Sequence, residues 1–262
     1  MGYKHILYEE KEEIGILTLN RPHKRNALSL ETENEIINCL KDAGNRCDVK
    51  VIILKAAGEV FCAGHDREEI VRLPIGEIRR LFHTSFNMMM TMRSAPQCII
   101  AQVQGIAMAA GCQLAAACDL ITAGEEKARF GMTGLLYSYN CSTPTVPVSR
   151  AIPQKKCMEM LMTAHLYTAR EAESFHLVNR VFPDEKLDEM TYEWAKEIAK
   201  ASKYAIYMAK QVFYSQVEMT EWQAYQYTKD MMALARANNN AIEGFSASIE
   251  KRQPVWDESS PF

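Results

Sequence analysis

Two stretches of small residues are candidates for binding a negatively charged oxygen through main-chain N–H groups. The first runs from Gly105 to Gly111 and contains three alanines and no bulky polar side chain. The second runs from Ala56 to Asp66 and ends in Phe-Cys-Ala-Gly-His-Asp. Small residues let a ligand or another chain segment approach the main chain closely. The alternative is a pair of tight connections in which alanine and glycine serve packing alone, and the two stretches by themselves leave it open.

The elements around the two stretches favour the chemical interpretation. Each stretch follows a short apolar run that is typical of a buried strand, Val51–Leu54 and Cys98–Val103. Each is followed by a helical pattern, and a helix that begins there directs its unpaired N–H groups and its positive dipole end into the space above the strand. Two such loops can each donate one N–H group to the same oxyanion.

The rest of the first half predicts an α/β arrangement. Alternating residues indicate a hairpin of strands over 5–9 and 14–19, and Ser29 is placed to cap a helix over 30–43. The unit of strand, loop and helix then recurs, which builds a right-handed α/β spiral. Further strands are expected at 119–123, 129–130 and 177–182, a loop lining the site at 131–140, and a turn bracketed by Pro144 and Pro147.

Beyond residue 154 the pattern becomes mainly helical. Helices are expected at 154–163, 168–175, 187–201 and from 204 onward. After Pro183 little strand signal remains, and this change from α/β to all-α places a domain boundary near residue 203, with an α/β core over 1–202 and a helical region over 203–262. The helical region carries apolar residues at helical spacing, among them Met208, Trp222, Tyr225 and Leu234. Such stripes are commonly core, but the little chain left to cover them also allows a contact between subunits.

Composition and charge exclude several classes of function. The 262 residues carry a formal net charge of −3, which argues against a general nucleic-acid-binding protein but allows a small polyanion held by a few local cations. None of the eight cysteines forms a C-x-x-C pair, so neither a zinc site nor a disulfide framework is expected. The first residues lack the features of a leader, and no apolar run is long enough to span a bilayer. A cytoplasmic protein without membrane contact is therefore expected.

Several motifs resemble those of the crotonase (enoyl-CoA hydratase/isomerase) superfamily across nearly the whole chain. They are Leu19-Asn-Arg-Pro-His-Lys-Arg-Asn-Ala-Leu28, Phe61-Cys-Ala-Gly-His-Asp66, Gln104-Gly-Ile-Ala-Met-Ala-Ala-Gly-Cys-Gln-Leu114 with Cys118-Asp119, Leu177-Val-Asn-Arg-Val181 and Ile249-Glu-Lys-Arg-Gln-Pro254. The resemblance implies a ββα spiral core and a C-terminal all-α region that forms a homotrimer or a dimer of trimers. It also implies an acyl-CoA thioester as partner. Coenzyme A is then part of the substrate, and neither a permanently bound cofactor nor a metal is expected.

The resemblance further implies roles for individual residues. Reactions of the superfamily share an enolate-like oxyanion stabilised by two main-chain N–H groups, which correspond here to those of His65 and Ala110. Ala109 and Ala110 stand where the superfamily more often has glycines, and alanine is expected to be tolerated there if φ stays negative. Asp66 is placed to fix its own loop as well. The positions that match coenzyme A contacts are Lys24, Arg25, Ala27, Ala63, Gly64, Asp66 and Lys251.

The acid–base residues depart from the pattern of the superfamily. Its hydratases carry two glutamates, one in the segment that is Gly-Cys-Gln-Leu here and one further along the chain, and these positions fall on Gln113 and Gly134. An amide can hold a water molecule but cannot take its proton at neutral pH, and glycine offers no side chain. Ordinary hydratase activity is therefore expected to be weak unless another group substitutes. Candidates for that role are His65, Tyr137, Tyr139, Asn140 and Cys141.

Three functions remain open at this point. The first is an enzyme that acts on an acyl-CoA thioester through an enolate, and the second is a non-catalytic acyl-CoA-binding protein. The third is decarboxylation of a malonyl-type thioester, since a decarboxylase subgroup of the superfamily also has histidine after the Ala-Gly pair and tyrosine near the position of Cys141. Across its whole length, the chain most resembles the subgroup of the third animal enoyl-CoA hydratase domain-containing protein, which also lacks the glutamate pair. The shared segments are Ala-Gly-Cys-Gln-Leu, Cys141-Ser-Thr-Pro144 and Lys-Arg-x-Pro-Val-Trp256.

Overall fold

A computed structural model describes residues 2–46 and 48–258, so Cys47 lies outside the described residues. The strands are β1 (Ile6–Lys11), β2 (Ile14–Leu19), β3 (Val51–Ala56), β4 (Cys98–Val103), β5 (Ile106–Met108), β6 (Leu120–Gly124), β7 (Arg129–Gly131), β8 (Tyr167–Thr168) and β9 (Arg180–Phe182). The helices are α1 (Leu30–Gly44), α2 (Arg67–Arg72), α3 (Ile75–Ser94), α4 (Ala110–Ala116), α5 (Ser142–Ala151), α6 (Gln154–Thr163), α7 (Ala169–Ser174), α8 (Leu187–Ala199), α9 (Lys203–Gln216), α10 (Glu221–Ala235) and α11 (Asn239–Glu250). Short 3₁₀ turns cover Pro22–Lys24, Gly134–Tyr137 and Asp184–Lys186.

A six-stranded sheet in the order β1-β2-β3-β4-β6-β9 forms the centre of the fold. The predicted hairpin is present, because β1 and β2 pair antiparallel with Ile6 opposite Leu19. The other neighbours in this sheet pair parallel. Such strands are covered on both faces by the connecting helices, which is why β3 is a continuous apolar run with Val51 and Leu54 both buried. The α/β class expected from the sequence is confirmed.

Strands β5, β7 and β8 form a second, three-stranded sheet in that order. Its first strand, β5, has three residues and follows β4 almost directly. A strand this short carries no period-two signal of its own, and the sequence pattern did not indicate it. It matters for the site because α4 begins two residues after β5 ends.

Helix α1 forms as its sequence predicts. Ser29 caps it, and its Oγ accepts a hydrogen bond from the N–H of Thr32 at 3.3 Å. Ile36, Ile37 and Leu40 are buried along one face, as their three- and four-residue spacing requires. Glu33 lies on that same buried face and is 0% exposed.

The prediction of a turn bracketed by Pro144 and Pro147 is wrong, because both prolines lie inside helix α5. Pro144 occupies the first turn, where a missing N–H removes no intrahelical bond. Pro147 does cost one bond, but the N–H of Thr145 still donates to the carbonyl of Cys141 at 3.1 Å and begins the helix. Two prolines close together therefore indicated a turn where tertiary packing favours a helix.

The C-terminal helices are joined to the core by a buried cation on α9. The ammonium of Lys210 lies 2.8 Å from the Asp119 carboxylate and donates to the carbonyl oxygens of Met92 and Gln97. Beyond α9, apolar residues face outward, and Trp222 and Tyr225 are 71% and 68% exposed. The division at residue 203 stays a prediction. No helix in the described residues is long and apolar enough to cross a membrane.

Candidate active site

The two loops singled out in the sequence run side by side. The N–H of Cys62 donates to the carbonyl oxygen of Ile106, and the N–H of Met108 donates to that of Cys62, both at 3.0 Å. These bonds pair Cys62 with Ala107 in a parallel bridge. Three residues further along each segment stand His65 and Ala110, so the bridge sets the register between the two predicted donors.

The N–H of His65 points away from Leu28, which pairs with His65 in a second parallel bridge. The carbonyl of Gly64 accepts from Leu28 and the N–H of Asp66 donates to Leu28, both at 2.8 Å. In a parallel pairing the bridged residue between two such bonds points its own N–H away from that partner. Gly64 has a φ of +93°, and a Cβ there would lie 3.3 Å from the nitrogen of Ala110. The residue must therefore be small where the two segments approach each other.

Ala110 is the first residue of α4, so its N–H has no partner within the helix. The N–H groups of His65 and Ala110 have no hydrogen-bond acceptor among the described residues. The condition of a negative φ, under which alanine is expected to be tolerated, is not met at Ala109, which has φ 51° and ψ −120°. The chain has to reverse between β5 and α4, and the bond from the N–H of Ala109 to the carbonyl of Gly131 at 2.9 Å holds it in that turn. Such a conformation costs about 1–3 kcal/mol in a non-glycine residue and is found mainly at functional sites.

A cavity of about 560 Å³ opens in front of these amides. It is mostly apolar, and Phe82 packs its ring edge against the imidazole of His65 at a centroid distance of 5.1 Å. In the described part of the chain no aspartate or glutamate lines it. The lining residues are Ala63, His65, Arg67, Ile70, Val71, Phe82, Ala109, Ala110, Thr133, Gly134, Tyr137, Tyr139, Asn140, Cys141, Ser142, Thr143 and Pro144.

Gln113 lies behind this cavity rather than in its wall. The side chain is 4% exposed, and its Oε1 accepts a hydrogen bond from the hydroxyl of Thr143 at 3.1 Å. It lines a second cavity of about 420 Å³ on the far side of α4, while Thr143 lines both. The position of the first superfamily glutamate is thus occupied by an amide whose oxygen is already bonded.

Gly134 does line the first cavity, but there is no room for a side chain at this position. A Cβ would lie 2.4 Å from the carbonyl oxygen of Tyr139 and 2.7 Å from the sulfur of Cys141. The N–H of Gly134 also donates to that sulfur at 3.2 Å. Burial raises the pKa of the Cys141 thiol, so it is held as a thiol and not as a reactive thiolate.

The loop between Gly134 and α5 supplies polar side chains that could donate or accept a proton in the larger cavity. Tyr139 lines the cavity and is 47% exposed. Tyr137 lines it as well, and its hydroxyl accepts a hydrogen bond at 2.9 Å from the guanidinium of Arg67, which also lies over its ring. Arg67 is the cationic residue in the cavity wall, and the sequence pattern did not single it out. The amide of Asn140, also in the wall, donates to the Ser142 hydroxyl.

Five of the seven predicted coenzyme A residues gather at a smaller opening of about 220 Å³, and the two exceptions are Gly64 and Lys251. Lys24, Arg25, Ala27, Ala63 and Asp66 line it, and it shares Ala63, His65 and Arg67 with the larger cavity. Asp66 caps α2 by accepting from the N–H of Glu68 at 3.0 Å and pairs with Arg21 at 3.2 Å, so it fixes its loop. Lys251 ends α11 and lines neither opening in this chain.

A buried group of polar side chains behind His65 was missed by the sequence reasoning. Glu33 on α1 accepts a hydrogen bond from the hydroxyl of Ser85 on α3, and its Oε1 lies 3.4 Å from Nδ1 of His65. Burial is the main cause that raises the pKa of Glu33 to about 8 and lowers the pKa of His65 to about 4. The available signal was the spacing of Glu33 with the buried Ile36 and Ile37 on one helix face.

Known proteins are similar to this chain over most of its length. A family model described as enoyl-CoA hydratase/isomerase matches residues 9–259. Enoyl-CoA hydratase domain-containing protein 3, mitochondrial, of Danio rerio is 37% identical over 252 residues, which is 95% of this chain and 86% of that protein. The Homo sapiens protein of the same name is 37% identical over 241 residues, 92% of this chain and 79% of that protein.

Solved structures give the same result for the fold. An enoyl-CoA hydratase from Mycobacterium smegmatis superposes with a TM-score of 0.93 at 36% identity, covering 97% of this chain and 99% of that chain. Human enoyl coenzyme A hydratase domain-containing protein 3 superposes with a TM-score of 0.93 at 35% identity, covering 97% and 100%. The crotonase-type α/β fold expected from the motifs is thereby confirmed.

The same comparisons correct one expectation and establish the family. The predicted cytoplasmic location is contradicted, because the similar proteins of Danio rerio, Homo sapiens and Rattus norvegicus all carry the name mitochondrial. The features of the N-terminal residues were a weak basis for a compartment. With the family model matched over most of its length and relatives above 30% identity, the chain belongs to the enoyl-CoA hydratase/isomerase family.

Proposed function

We propose that the chain binds an acyl-CoA thioester and stabilises negative charge on the thioester oxygen between the N–H groups of His65 and Ala110. The observation that carries this proposal is the parallel bridge between Cys62 and Ala107. This bridge supports the proposal because it joins the two segments whose residues His65 and Ala110 line one apolar cavity, and the N–H groups of both have no acceptor among the described residues. Preorganised donors of this kind typically contribute about 10²–10³ in rate each, because they need no rearrangement as the charge develops.

The adjoining smaller opening fits the other end of such a ligand. Lys24 and Arg25 provide cations at its rim, and Arg67 stands where the two openings meet. A few local cations suffice for phosphate groups, even on a chain with net charge −3. The ammonium of Lys24 is paired with Glu68 at 2.7 Å on the surface, an exposed pair that a phosphate can displace at little cost.

Hydration of an enoyl thioester is expected to be slow on this chain. Placing a general base contributes about 10²–10⁴ in rate. The larger cavity has no carboxylate in its described wall, Gln113 bonds to Thr143 behind it, and Gly134 has no space for a side chain. A reaction that forms the enolate without removing a proton fits these residues better.

Decarboxylation of a malonyl-type thioester is such a reaction, and it is our second candidate. The bond between the α-carbon and the carboxylate breaks, carbon dioxide leaves, and the electron pair enters an enolate whose oxygen faces the two amides. A proton then has to reach the α-carbon, and Tyr137 and Tyr139 in the wall are donors for it. The absence of carboxylates from the described wall favours this candidate, since they would repel the substrate's own carboxylate.

The decisive experiment combines binding and turnover. Acetyl-, crotonyl-, malonyl- and methylmalonyl-CoA are each incubated with the protein, and depletion is followed by mass spectrometry beside calorimetric binding of acetyl-CoA. We expect binding, loss of a malonyl-type thioester and little hydration of crotonyl-CoA, and a Gln113→Glu variant should leave hydration slow. Crotonyl-CoA hydration far above the solution rate would contradict the missing-base argument. Binding without any turnover would leave an acyl-CoA-binding protein.

A pair of glycine variants tests the two amides directly. Gly64→Ala places a methyl group 3.3 Å from the nitrogen of Ala110 at a positive φ, so acetyl-CoA binding should fall at least tenfold. Gly76→Ala is the matched control, because a Cβ at that exposed helix position meets no atom within 4 Å. Equal affinity in both variants would refute the proposed oxyanion site.

We further propose that the chain assembles as a homotrimer or a dimer of trimers through its C-terminal helices. Support comes from apolar side chains on α10 and α11 that a single chain leaves exposed, including Trp222 at 71%, Met232 at 78%, Phe245 at 68% and Ile249 at 82%. Contiguous exposed apolar residues of this kind mark interaction surfaces. Light scattering on the purified protein measures the mass, and a monomer at micromolar concentration would contradict the proposal.

A further inference from the structure

Unpaired buried polar atoms concentrate behind the wall of the larger cavity. Side-chain atoms without a hydrogen-bond partner are rare in folded interiors, and each costs about 1–3 kcal/mol. In the described residues seven such atoms are found, and three of them belong to one contact, namely both imidazole nitrogens of His65 and Oε2 of Glu33. Packing alone gives no reason to keep three unpaired polar atoms together.

The surroundings of this contact favour neutral side chains. Glu33 is 0% exposed and the side chain of His65 is 12% exposed. The ring edge of Phe82 packs on the imidazole. Two other titratable groups interact electrostatically with Glu33, namely Glu69 on α2 and Cys62 in the loop before His65. Neither of them carries a positive charge. An ion pair in this place would have one additional donor, the Ser85 hydroxyl on Oε1 of Glu33, while Oε2 has no partner, and buried pairs need more hydrogen bonds than this to be favourable.

We propose that Glu33 and His65 form a buried proton-sharing pair in which the protonation state of Glu33 sets the tautomer of the His65 imidazole. A protonated Glu33 donates its O–H to Nδ1, which leaves the ring proton on Nε2. Once Glu33 has released its proton to solvent, the carboxylate accepts from Nδ1–H, and Nε2 becomes an acceptor. The ring is neutral in both states, and one proton leaves the pair.

The geometry needs only a small adjustment for this bond. Oε1 of Glu33 is 3.4 Å from Nδ1, slightly beyond a formed hydrogen bond. The last torsion of a glutamate side chain is soft, so the carboxyl group can turn at little cost. The raised pKa of Glu33, about 8 through burial, places the change of tautomer just above neutral pH.

His65 also carries one of the two amides proposed to hold the thioester oxygen. The pair therefore decides whether the imidazole at the cavity wall is a donor or an acceptor while its main-chain N–H stays in place. Glu33 touches no ligand in this arrangement and is a positioning residue. That consequence for the acyl-CoA site rests on the proposed function, whereas the tautomer itself does not.

The experiment reads the tautomer in the protein without ligand. Nitrogen-15 NMR of labelled histidine distinguishes a ring N–H from a bare nitrogen, and His65→Gln assigns the signal among six histidines. In the wild-type chain we expect a neutral ring with Nε2–H at pH 6.5 and with Nδ1–H above pH 9. In Glu33→Gln, which keeps the shape without a titrating proton, the tautomer should not change over that range. Circular dichroism checks that each variant is folded.

Substitutions of two neighbours of Glu33 should shift the pH at which the His65 tautomer changes, in opposite directions. A purely structural role of Glu33 would give no such shifts. The hydroxyl of Ser85 stabilises the Glu33 carboxylate and lowers its pKa, so Ser85→Ala should move the change to higher pH. The charge of Glu69 raises that pKa, so Glu69→Gln should move it to lower pH. A wild-type ring that is an imidazolium at pH 7, a tautomer that does not change, or the same midpoint in Glu33→Gln would each overturn the inference. Failure of acetyl-CoA to bind would overturn the proposed function alone.

Discussion

The buried carboxyl of Glu33 makes the stability of this protein depend on pH in a direction opposite to that of most carboxylates. Burial raises its pKa from 4.5 to about 8 in the folded protein. Between these values the folded chain keeps the proton while the unfolded chain has released it. The contribution of Glu33 is therefore fully present below about pH 4.5 and is lost as pH rises through about 8. Glu33→Gln removes this one linkage.

The size of the effect follows from one proton per molecule. A difference of one bound proton changes the free energy of unfolding by about 1.4 kcal/mol per pH unit. From pH 5.5 to pH 7.5 we therefore expect the wild type to lose about 2–3 kcal/mol relative to Glu33→Gln. Comparing slopes rather than absolute values cancels the different packing of the glutamine side chain in the variant, because that difference does not titrate.

The assay is equilibrium urea unfolding followed by circular dichroism at pH 5.5, 6.5 and 7.5. Protein concentration is held equal throughout, since any association contributes to apparent stability. Asp42→Asn, at an exposed position of α1, serves as a control for removing one carboxylate from the same helix. If the free energy of unfolding depended on pH in the same way in the wild type and in Glu33→Gln, Glu33 would be ionised in the folded protein at neutral pH. That result would refute both the raised pKa of Glu33 and the tautomer argument built on it.

Three further substitutions test the backbone and the cavity wall, each by urea unfolding. Ala109→Gly relieves a positive φ at the cost of a more flexible unfolded chain, and should raise the free energy of unfolding by up to about 1 kcal/mol; a loss would show that the turn is unstrained. Gly134→Ala brings a Cβ within 2.4 Å of the Tyr139 carbonyl oxygen and should lower the free energy of unfolding by roughly 1–3 kcal/mol. An unchanged free energy would show that the loop moves to accommodate the methyl group. Thr143→Val leaves the buried oxygen of Gln113 unpaired and should cost about 1–3 kcal/mol, unless a water molecule replaces the hydroxyl.

Much of the scaffold could be predicted because its signals are local. The alternation of β1 and β2, the Ser29 cap and the apolar runs of β3 and β4 each express a preference of the segment itself. The loop pairing that sets the candidate amides also follows from small residues after two neighbouring strands. What local signals missed was the helix around Pro147, since its stability comes from packing against α4 and α6 rather than from propensity.

The candidate site was predicted less completely, because side-chain direction depends on neighbours distant in sequence. Gln113 has the motif position of a catalytic glutamate, but its oxygen is bonded to Thr143 on α5 and the residue does not line the larger cavity. Glu33 is one of several acidic residues near the start of α1, and its spacing with Ile36 and Ile37 indicates only that it shares their face of the helix. Only the packing of α1 against α3 shows that its carboxyl is buried beside His65.

The charge of the cavity links these observations. An enolate oxygen, or a carboxylate on a malonyl-type substrate, about 4 Å from a fixed carboxylate would be destabilised by about 4 kcal/mol at an effective dielectric of about 20. The described wall contains no carboxylate, and the buried one behind it, Glu33, is kept neutral by burial at physiological pH. Ionisation of Glu33 above pH 8 would place a negative charge behind the amide of His65, and we therefore expect affinity for malonyl-CoA to fall there in the wild type but not in Glu33→Gln. Equal pH profiles in the two proteins would mean that the charge of Glu33 does not reach the ligand.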